Sequence, residues 1–350
     1  MLVRGRHPNR HGTQNQIPFW GSGTARTPNQ NRFCIRRYAR PVVCSEPDKN
    51  HPTLNRRSKR MPHRIIVCGI YRSGTSLTTK LIREWGAYAG NADDLFEDEY
   101  GYLEHLALQR VNDELLNNKS RVPTPEHILL EKVRDEEISR KAKQVLAEMD
   151  AEAQSQGAAA WVWKDPRIPL TLPFWSHFWE DVIYVIPVRH PLETILSAAK
   201  MEGLEPEQVP LSAGFAYWQF CMLNILKAAQ NTSRKIFISY DQLIQHPRRE
   251  CERLCYFLDE HCGIASVDHD PRVEAMAFHI QERQRHFQAP ASLADLEVVT
   301  AEQRALYNFL RVKTIHPHET YRESDFALYP GWMEYLQATD TLLSMMQEGN

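Results

Sequence analysis

The 350-residue chain has no apolar run near the ~18 residues that a membrane-spanning helix requires, so no membrane span is expected. It also lacks a cysteine framework. Cys34, Cys44, Cys68, Cys221, Cys251, Cys255 and Cys262 are odd in number and have no paired metal-ligand spacing. Neither a disulfide scaffold nor a zinc site is therefore expected, and a reducing, cytoplasmic compartment is. Cys251 and Cys255, four residues apart, read as one buried helix face.

Acidic residues are nearly missing from the first 60 positions. There 13 Lys and Arg stand against Glu46 and Asp48, a net of +11, which leaves −13 on the remainder of a chain whose total is −2. An acidic body argues against a nucleic-acid partner. The basic stretch is rich in Asn, Pro and Arg without lasting periodicity, so residues 1–61 are expected to be a disordered arm and 62–350 the folded domain. A transit-type presequence, an anion-binding tail and a segment upstream of a true start at Met61 all fit the arm. No apolar core follows its first arginines, which disfavours a secretory signal.

Beyond Arg64 the pattern changes. Ile65 to Ile70 is a short, β-branched, almost wholly apolar run, as expected of a strand buried on both faces. Trp161 to Trp163, Val182 to Val188 and Lys235 to Ser239 are similar. Helical patterns cover Thr75 to Trp85, Leu103 to Leu116, Pro125 to Asp150, Pro191 to Lys200, Leu211 to Ala229 and Pro247 to Leu258. This alternation predicts an α/β fold with a central parallel sheet flanked by helices. Charges crowd Pro125 to Asp150, predicting a solvated outer helix, whereas Phe215, Trp218 and Phe220 mark Leu211 to Ala229 as a core helix. Trp175, Trp179, Trp218 and Trp332 read as core or groove residues.

The turn after the first strand carries chemistry. Gly69 and Gly74 have the GxxxxG spacing of a phosphate-binding loop, but Thr75 and Ser76 follow where a nucleotide kinase has Lys and Ser/Thr. Small residues let backbone N–H groups converge on an anion, and the helix from Thr75 aims its positive end at it. The nearest cation is Arg72, on the turn itself. No strand end has an obvious magnesium-holding carboxylate apart from Asp241, so phosphate binding without a metal is expected. A second anion site follows the Val182 strand, where Arg189-His190-Pro191 begins a helix that carries Ser197. Its plainer explanation is an ordinary strand-end Arg with a helix-facing Ser.

Together these motifs resemble those of the sulfotransferases that use 3′-phosphoadenosine-5′-phosphosulfate, with their P-loop-like topology. Arg72-Ser73-Gly74-Thr75-Ser76 looks like that family's 5′-phosphosulfate loop, and Arg189 with Ser197 looks like its 3′-phosphate site. Trp163-Lys164-Asp165-Pro166-Arg167-Ile168-Pro169 is similar to its lysine-bearing loop. Tyr240-Asp241-Gln242-Leu243, with His246-Pro247, Arg253-Leu254 and Phe257-Leu258, matches its segment after the later strand. The resemblance runs from Arg64 to Leu258 and more weakly to Leu310. It implies a sulfonucleotide donor, a hydroxyl-bearing acceptor and no required metal, with Arg72, Ser73, Gly74, Thr75, Ser76, Arg189, Ser197 and Tyr240 around the donor.

Sulfuryl transfer builds negative charge on the departing bridge oxygen, so donors are needed there. Arg72, the loop amides and Lys164 fit, and the resemblance puts Lys164 beside the bridge; a salt bridge to Asp165 or a neighbouring acid is the plain alternative. A base must take the acceptor proton. The cytosolic branch of the family uses a histidine after the loop lysine, where this chain has Pro166. Carbohydrate-directed and bacterial branches tend to use a carboxylate, which makes a saccharide or glycoconjugate the expected acceptor. Glu104, in Gly101-Tyr102-Leu103-Glu104 at an expected helix start, is the candidate, and Asn112-Asp113 follows it as in bacterial members. A first-turn acid favoured by the helix dipole is its alternative. Asp165 is the reserve, with an Arg167 ion pair as its alternative, and His190 reads as structural. Arg283, Arg285 and His286 match no family feature residue by residue. A magnesium-dependent phosphotransferase and a non-catalytic nucleotide-binding scaffold stay open beside the sulfotransferase reading.

Overall fold

Four short strands with β-branched and aromatic residues on both faces form the centre of the molecule. They are β1 (His63–Val67), β4 (Ala160–Lys164), β5 (Val182–Val188) and β6 (Lys235–Ser239), all parallel and in the order β4-β1-β5-β6. The structure, a computed structural model, describes residues 61–96, 103–116, 135–179, 181–264, 270–280 and 292–315. All of these belong to the unit Arg57–Asn350.

Alternation along the strands sorts side chains into two cores. Ile66, Trp161, Trp163, Tyr184, Ile186 and Phe237 enter one, and Ile65, Val67, Val162, Ile183, Val185 and Ile236 enter the other. On the second face lie α1 (Thr75–Trp85), α8 (Pro247–Cys262) and α9 (Asp270–Phe278), through residues such as Leu81, Trp85, Leu254 and Met276. On the first face lie α2 (Leu106–Leu116), α3 (Glu136–Ser155), α4 (Ile168–Trp175), α5 (Pro191–Met201), α6 (Leu211–Ala229) and α10 (Ala301–Ile315). Between them, α7 (Tyr240–Gln245) turns the chain from β6 to α8, and β2 (Leu95–Phe96) pairs antiparallel with β3 (Glu104–His105).

Local chemistry ends these elements where they end. Gly86, at φ +123, closes α1, and its N–H bonds Arg83 O and Ile82 O. Asp135 caps α3 by accepting from the N–H groups of Glu137 and Ile138. Pro247 opens α8, and Gly263 at φ +64 closes it.

The central parallel sheet agrees with the sequence, and three boundaries are corrected. First, β1 stops at Val67 rather than Ile70, because Ser73 N and Oγ both bond Ile70 O and fold the chain out of the sheet. Second, the helix expected from Leu103 starts at Leu106. Glu104 lies in β3, paired with Phe96, and Leu103 at φ +52 cannot be helical. Third, the charge-laced helix is described from Glu136 and runs on to Ser155, and it is not solvated all round. Ile138, Ala142, Leu146, Met149 and Ala153 are buried in the first core.

Trp175, Trp179 and Trp218 are core residues, as are Phe215 and Phe220. Cys251 and Cys255 are both buried on α8. The basic arm, Cys34, Cys44, the Arg283 to His286 cluster and Trp332 lie outside the described residues. No described helix is long and apolar enough to cross a membrane.

Candidate active site

Strand register brings the motifs together. Val67 pairs with Lys164 of β4 on one side and Val185 of β5 on the other, and Val188 pairs with Ser239 of β6. The turn after β1, the loop after β4, Arg189 after β5 and Tyr240 after β6 therefore all leave the same, carboxyl edge of the sheet. The order β4-β1-β5-β6 makes the β1/β5 boundary a topological switch point, where open parallel sheets hold ligands in a crevice.

The turn after β1 is tight. A Cβ on Gly69 would lie 2.7 Å from both Ser73 Oγ and Thr75 Cγ2. Gly74 has φ +98, and a Cβ there would lie 2.6 Å from Tyr240 Cδ2. Such close packing suits a cradle of backbone amides. The first intrahelical bond, Thr78 N to Gly74 O at 3.0 Å, leaves the opening amides of α1 free of helical acceptors. Thr75 is buried and Ser76 half-buried at this helix start. Ser73 shapes the turn, since its amide and hydroxyl are both committed to Ile70 O.

The two expected anion sites abut. Arg72, held at φ +66, turns its carbonyl to Arg189 Nη1 (3.0 Å) and donates from Nε to Ser197 Oγ (3.0 Å). The Tyr240 ring fills the space between Gly74 and Arg189, with the guanidinium carbon 4.6 Å from its centroid. Buried Glu193 accepts from Arg189 Nε at 3.2 Å. No motif marks Glu193, although it lies four residues after Arg189, the spacing of a helical ion pair. His190 packs edge-on against Tyr307 of α10, with centroids 5.2 Å apart.

Lys164 and Glu104 meet directly. Lys164, 1% exposed, donates from Nζ to Glu104 Oε1 at 2.9 Å. The lysine's partner is thus Glu104 rather than the adjacent Asp165. Burial pushes the Glu104 carboxyl above its ordinary 4.5, and Lys164 pulls it back only in part. Asp165 is fully buried and accepts from Arg167 N and Nε (2.8 Å each), Arg167 Nη2 (2.7 Å) and Asn112 Nδ2 (2.9 Å). So engaged, it is poorly placed to take a proton. Arg167 also pairs with Asp113, and Trp175 Nε1 donates to Asn112 Oδ1 at 2.8 Å. Among the described residues no group of three His, Cys, Asp or Glu side chains could hold a metal ion.

This arrangement has the features of a group-transfer site: an amide cradle, two guanidiniums, a buried lysine and a carboxylate on one edge. The chain belongs to the sulfotransferase family, whose sequence model matches residues 62–262. The protein is accordingly a transferase of sulfuryl groups. Among solved structures it is similar to the sulfotransferase domain of the Synechococcus PCC 7002 olefin synthase, at 19% identity over 71% of this chain and 94% of that one, with a TM-score of 0.41. The sulfotransferase domain from the curacin biosynthetic pathway is 18% identical over 75% of this chain and 100% of that one, with a TM-score of 0.37. Sulfotransferase STF9 from Mycobacterium avium is 14% identical over 75% and 79%, with a TM-score of 0.40. Comparison with curated proteins finds no match.

Proposed function

We propose that the protein moves the sulfuryl group of 3′-phosphoadenosine-5′-phosphosulfate to a hydroxyl acceptor on a saccharide or glycoconjugate, without a metal. The supporting observation is the convergence of the Gly69 to Ser76 turn, Arg189 with Ser197, and Lys164 with Glu104 on one sheet edge. In this reading the amides of Gly74, Thr75 and Ser76 and the Arg72 side chain hold the 5′ end. Arg189 and Ser197 hold the 3′-phosphate, and Tyr240 braces Arg189. The saccharide preference rests on Pro166 standing where the phenol-directed branch has its histidine.

The acceptor oxygen attacks sulfur in line with the departing 5′-phosphate oxygen. One S–O bond forms, the bridging S–O bond breaks, and its electron pair stays on the bridge oxygen of the leaving adenosine bisphosphate. Glu104 accepts the hydroxyl proton. Lys164 and Arg72 offset charge at the bridge. Once Lys164 turns to the bridge, Glu104 loses its counter-charge in a buried setting and becomes a stronger base. Donor binding thereby prepares the base.

The test is calorimetric titration of 3′-phosphoadenosine-5′-phosphate with and without magnesium, followed by radiosulfate transfer to saccharides, lipids and phenols. Micromolar binding that ignores magnesium, with transfer to saccharides, is expected. Lys164→Ala should lower turnover by about 10²–10³. Leaving Glu104 buried and unpaired should also cost about 3–5 kcal/mol of stability. A strict magnesium requirement would favour a phosphotransferase, and a silent Lys164→Ala a scaffold.

A further inference from the structure

Lys164 and Glu104 come from different elements, β4 and β3, and share no backbone pairing with each other. What joins their surroundings is a buried polar chain. Glu104 and His105 lead directly into α2, which carries Asn112 and Asp113. Lys164 leads directly into Asp165 and Arg167 at the mouth of α4, which carries Trp175. Arg167, 3% exposed, grips Asp165 with its amide, Nε and Nη2, and reaches Asp113 with Nη1. Asn112, wholly buried, donates to Asp165 and accepts from Trp175. Every bond in this chain runs between, or stiffens, the two segments that present Lys164 and Glu104.

We propose that the Asp165–Arg167 pair, tied to Asn112 and Asp113 of α2, is the positioning device that holds Glu104 in register with Lys164. Arg167 is thus a positioning residue, reaching the reacting atoms only through the two side chains it aligns. The inference rests on the site reading above. A fork of this kind is specific to arginine, because lysine cannot span two carboxylates in a fixed plane.

Field and geometry give separate signatures. The charged groups that bear on Glu104 are Lys164 and Asp165 at the end of β4 and Arg167 at the start of α4. Lys164 and Arg167 favour its ionised form and Asp165 opposes it. Asp113 of α2 also faces Arg167, and Tyr217 of α6 faces Asp165 and Arg167.

The experiment uses the full-length chain. Arg167→Met, Arg167→Lys, Asp165→Asn and the double variant Asp165→Asn/Arg167→Met are compared with Glu104→Gln for kcat, adenosine bisphosphate Kd and the acid limb of the kcat–pH profile. Arg167→Met should lower kcat by about 10²-fold at nearly unchanged Kd and move the acid limb to higher pH. Asp165→Asn should move that limb to lower pH. Arg167→Lys keeps the charge, so the limb should stay while kcat remains low. The double variant removes the two most buried charges together and leaves only the partly exposed Asp113 without its guanidinium, so it keeps the test alive should Arg167→Met fail to fold. It is expected to fold with a depressed kcat. Limb shifts of the same sign in Arg167→Met and Asp165→Asn, or full activity in the double variant or Arg167→Lys, would overturn the proposal. Should Glu104→Gln keep both its activity and its acid limb, the assignment of the base fails instead, a result distinguishable from the first.

Discussion

Arg72 at φ +66 and Leu103 at φ +52 are the non-glycine residues with positive φ among those described. One is a candidate catalytic residue and the other immediately precedes Glu104. A left-handed backbone is costly for a bulky residue, and such outliers cluster at functional sites. At Leu103 the conformation ends any helical run and lets Glu104 enter β3, where its side chain reaches Lys164. Burial then makes Glu104 a weaker acid than an ordinary glutamate. As pH falls, the carboxylate is lost at a value above 4.5, so the kcat–pH profile should carry an acid limb above that value, absent in Glu104→Gln. In the proposed mechanism a bound donor takes over the Lys164 contact and raises the same carboxyl further, so Glu104 should take up protons on binding. Calorimetry of adenosine bisphosphate in buffers of different ionisation enthalpy should show more proton uptake than the same titration of Glu104→Gln, in which only the ligand's own phosphates exchange protons. An equal proton balance in the two proteins would contradict this account of the base.

At the scale of elements, the first turn and α7 are built for each other. Gly74 is needed for its φ of +98 and because Tyr240 leaves no room for a Cβ. An alanine there costs about 1–2 kcal/mol of left-handed strain. It also pushes the ring on which Arg189 rests. Gly74→Ala should therefore weaken adenosine bisphosphate binding on the order of tenfold or more, about 1.4 kcal/mol. Gly203→Ala is the control, since Gly203 has φ +77 with nothing within 4 Å of the added Cβ. It carries the backbone strain without the collision, and its affinity should match the parent. Equal losses in the two variants would show that strain alone, rather than the Tyr240 contact, governs the site.

At the scale of the whole fold, two cores enclose the sheet and remove the described cysteines from water. Cys68, Cys221, Cys251, Cys255 and Cys262 are buried as thiols. Burial pushes the thiols of Cys221 and Cys251 up to about 12 and that of Cys255 to about 11. The raised thiols are protonated at pH 8 and all five are enclosed, so iodoacetamide should leave all five unmodified until denaturant is added. Peptide mass spectrometry reads this directly. Labelling of Cys221 or Cys251 in the native protein would show that the cores open far more readily than their packing implies.

Much of this was legible in the residues. Val182 to Val188 and Lys235 to Ser239 are strands over those spans, and Thr75 to Trp85 and Leu211 to Ala229 are helices over theirs, because local periodicity and β-branching dominate in short buried elements. The loop motif, Arg189 and Lys164 could likewise be picked out as chemical groups at strand ends. Pairing could not. That Lys164 meets Glu104 rather than Asp165, that Asp165 is taken up by Arg167 and Asn112, and that Tyr240 closes on Gly74 depend on strand register and helix placement. The order of residues along the chain decided which elements form and which chemistry they carry. Contacts across 60 and 53 residues of chain were left to the packing of two cores on one sheet, since side chains that far apart meet only where burial brings their elements together.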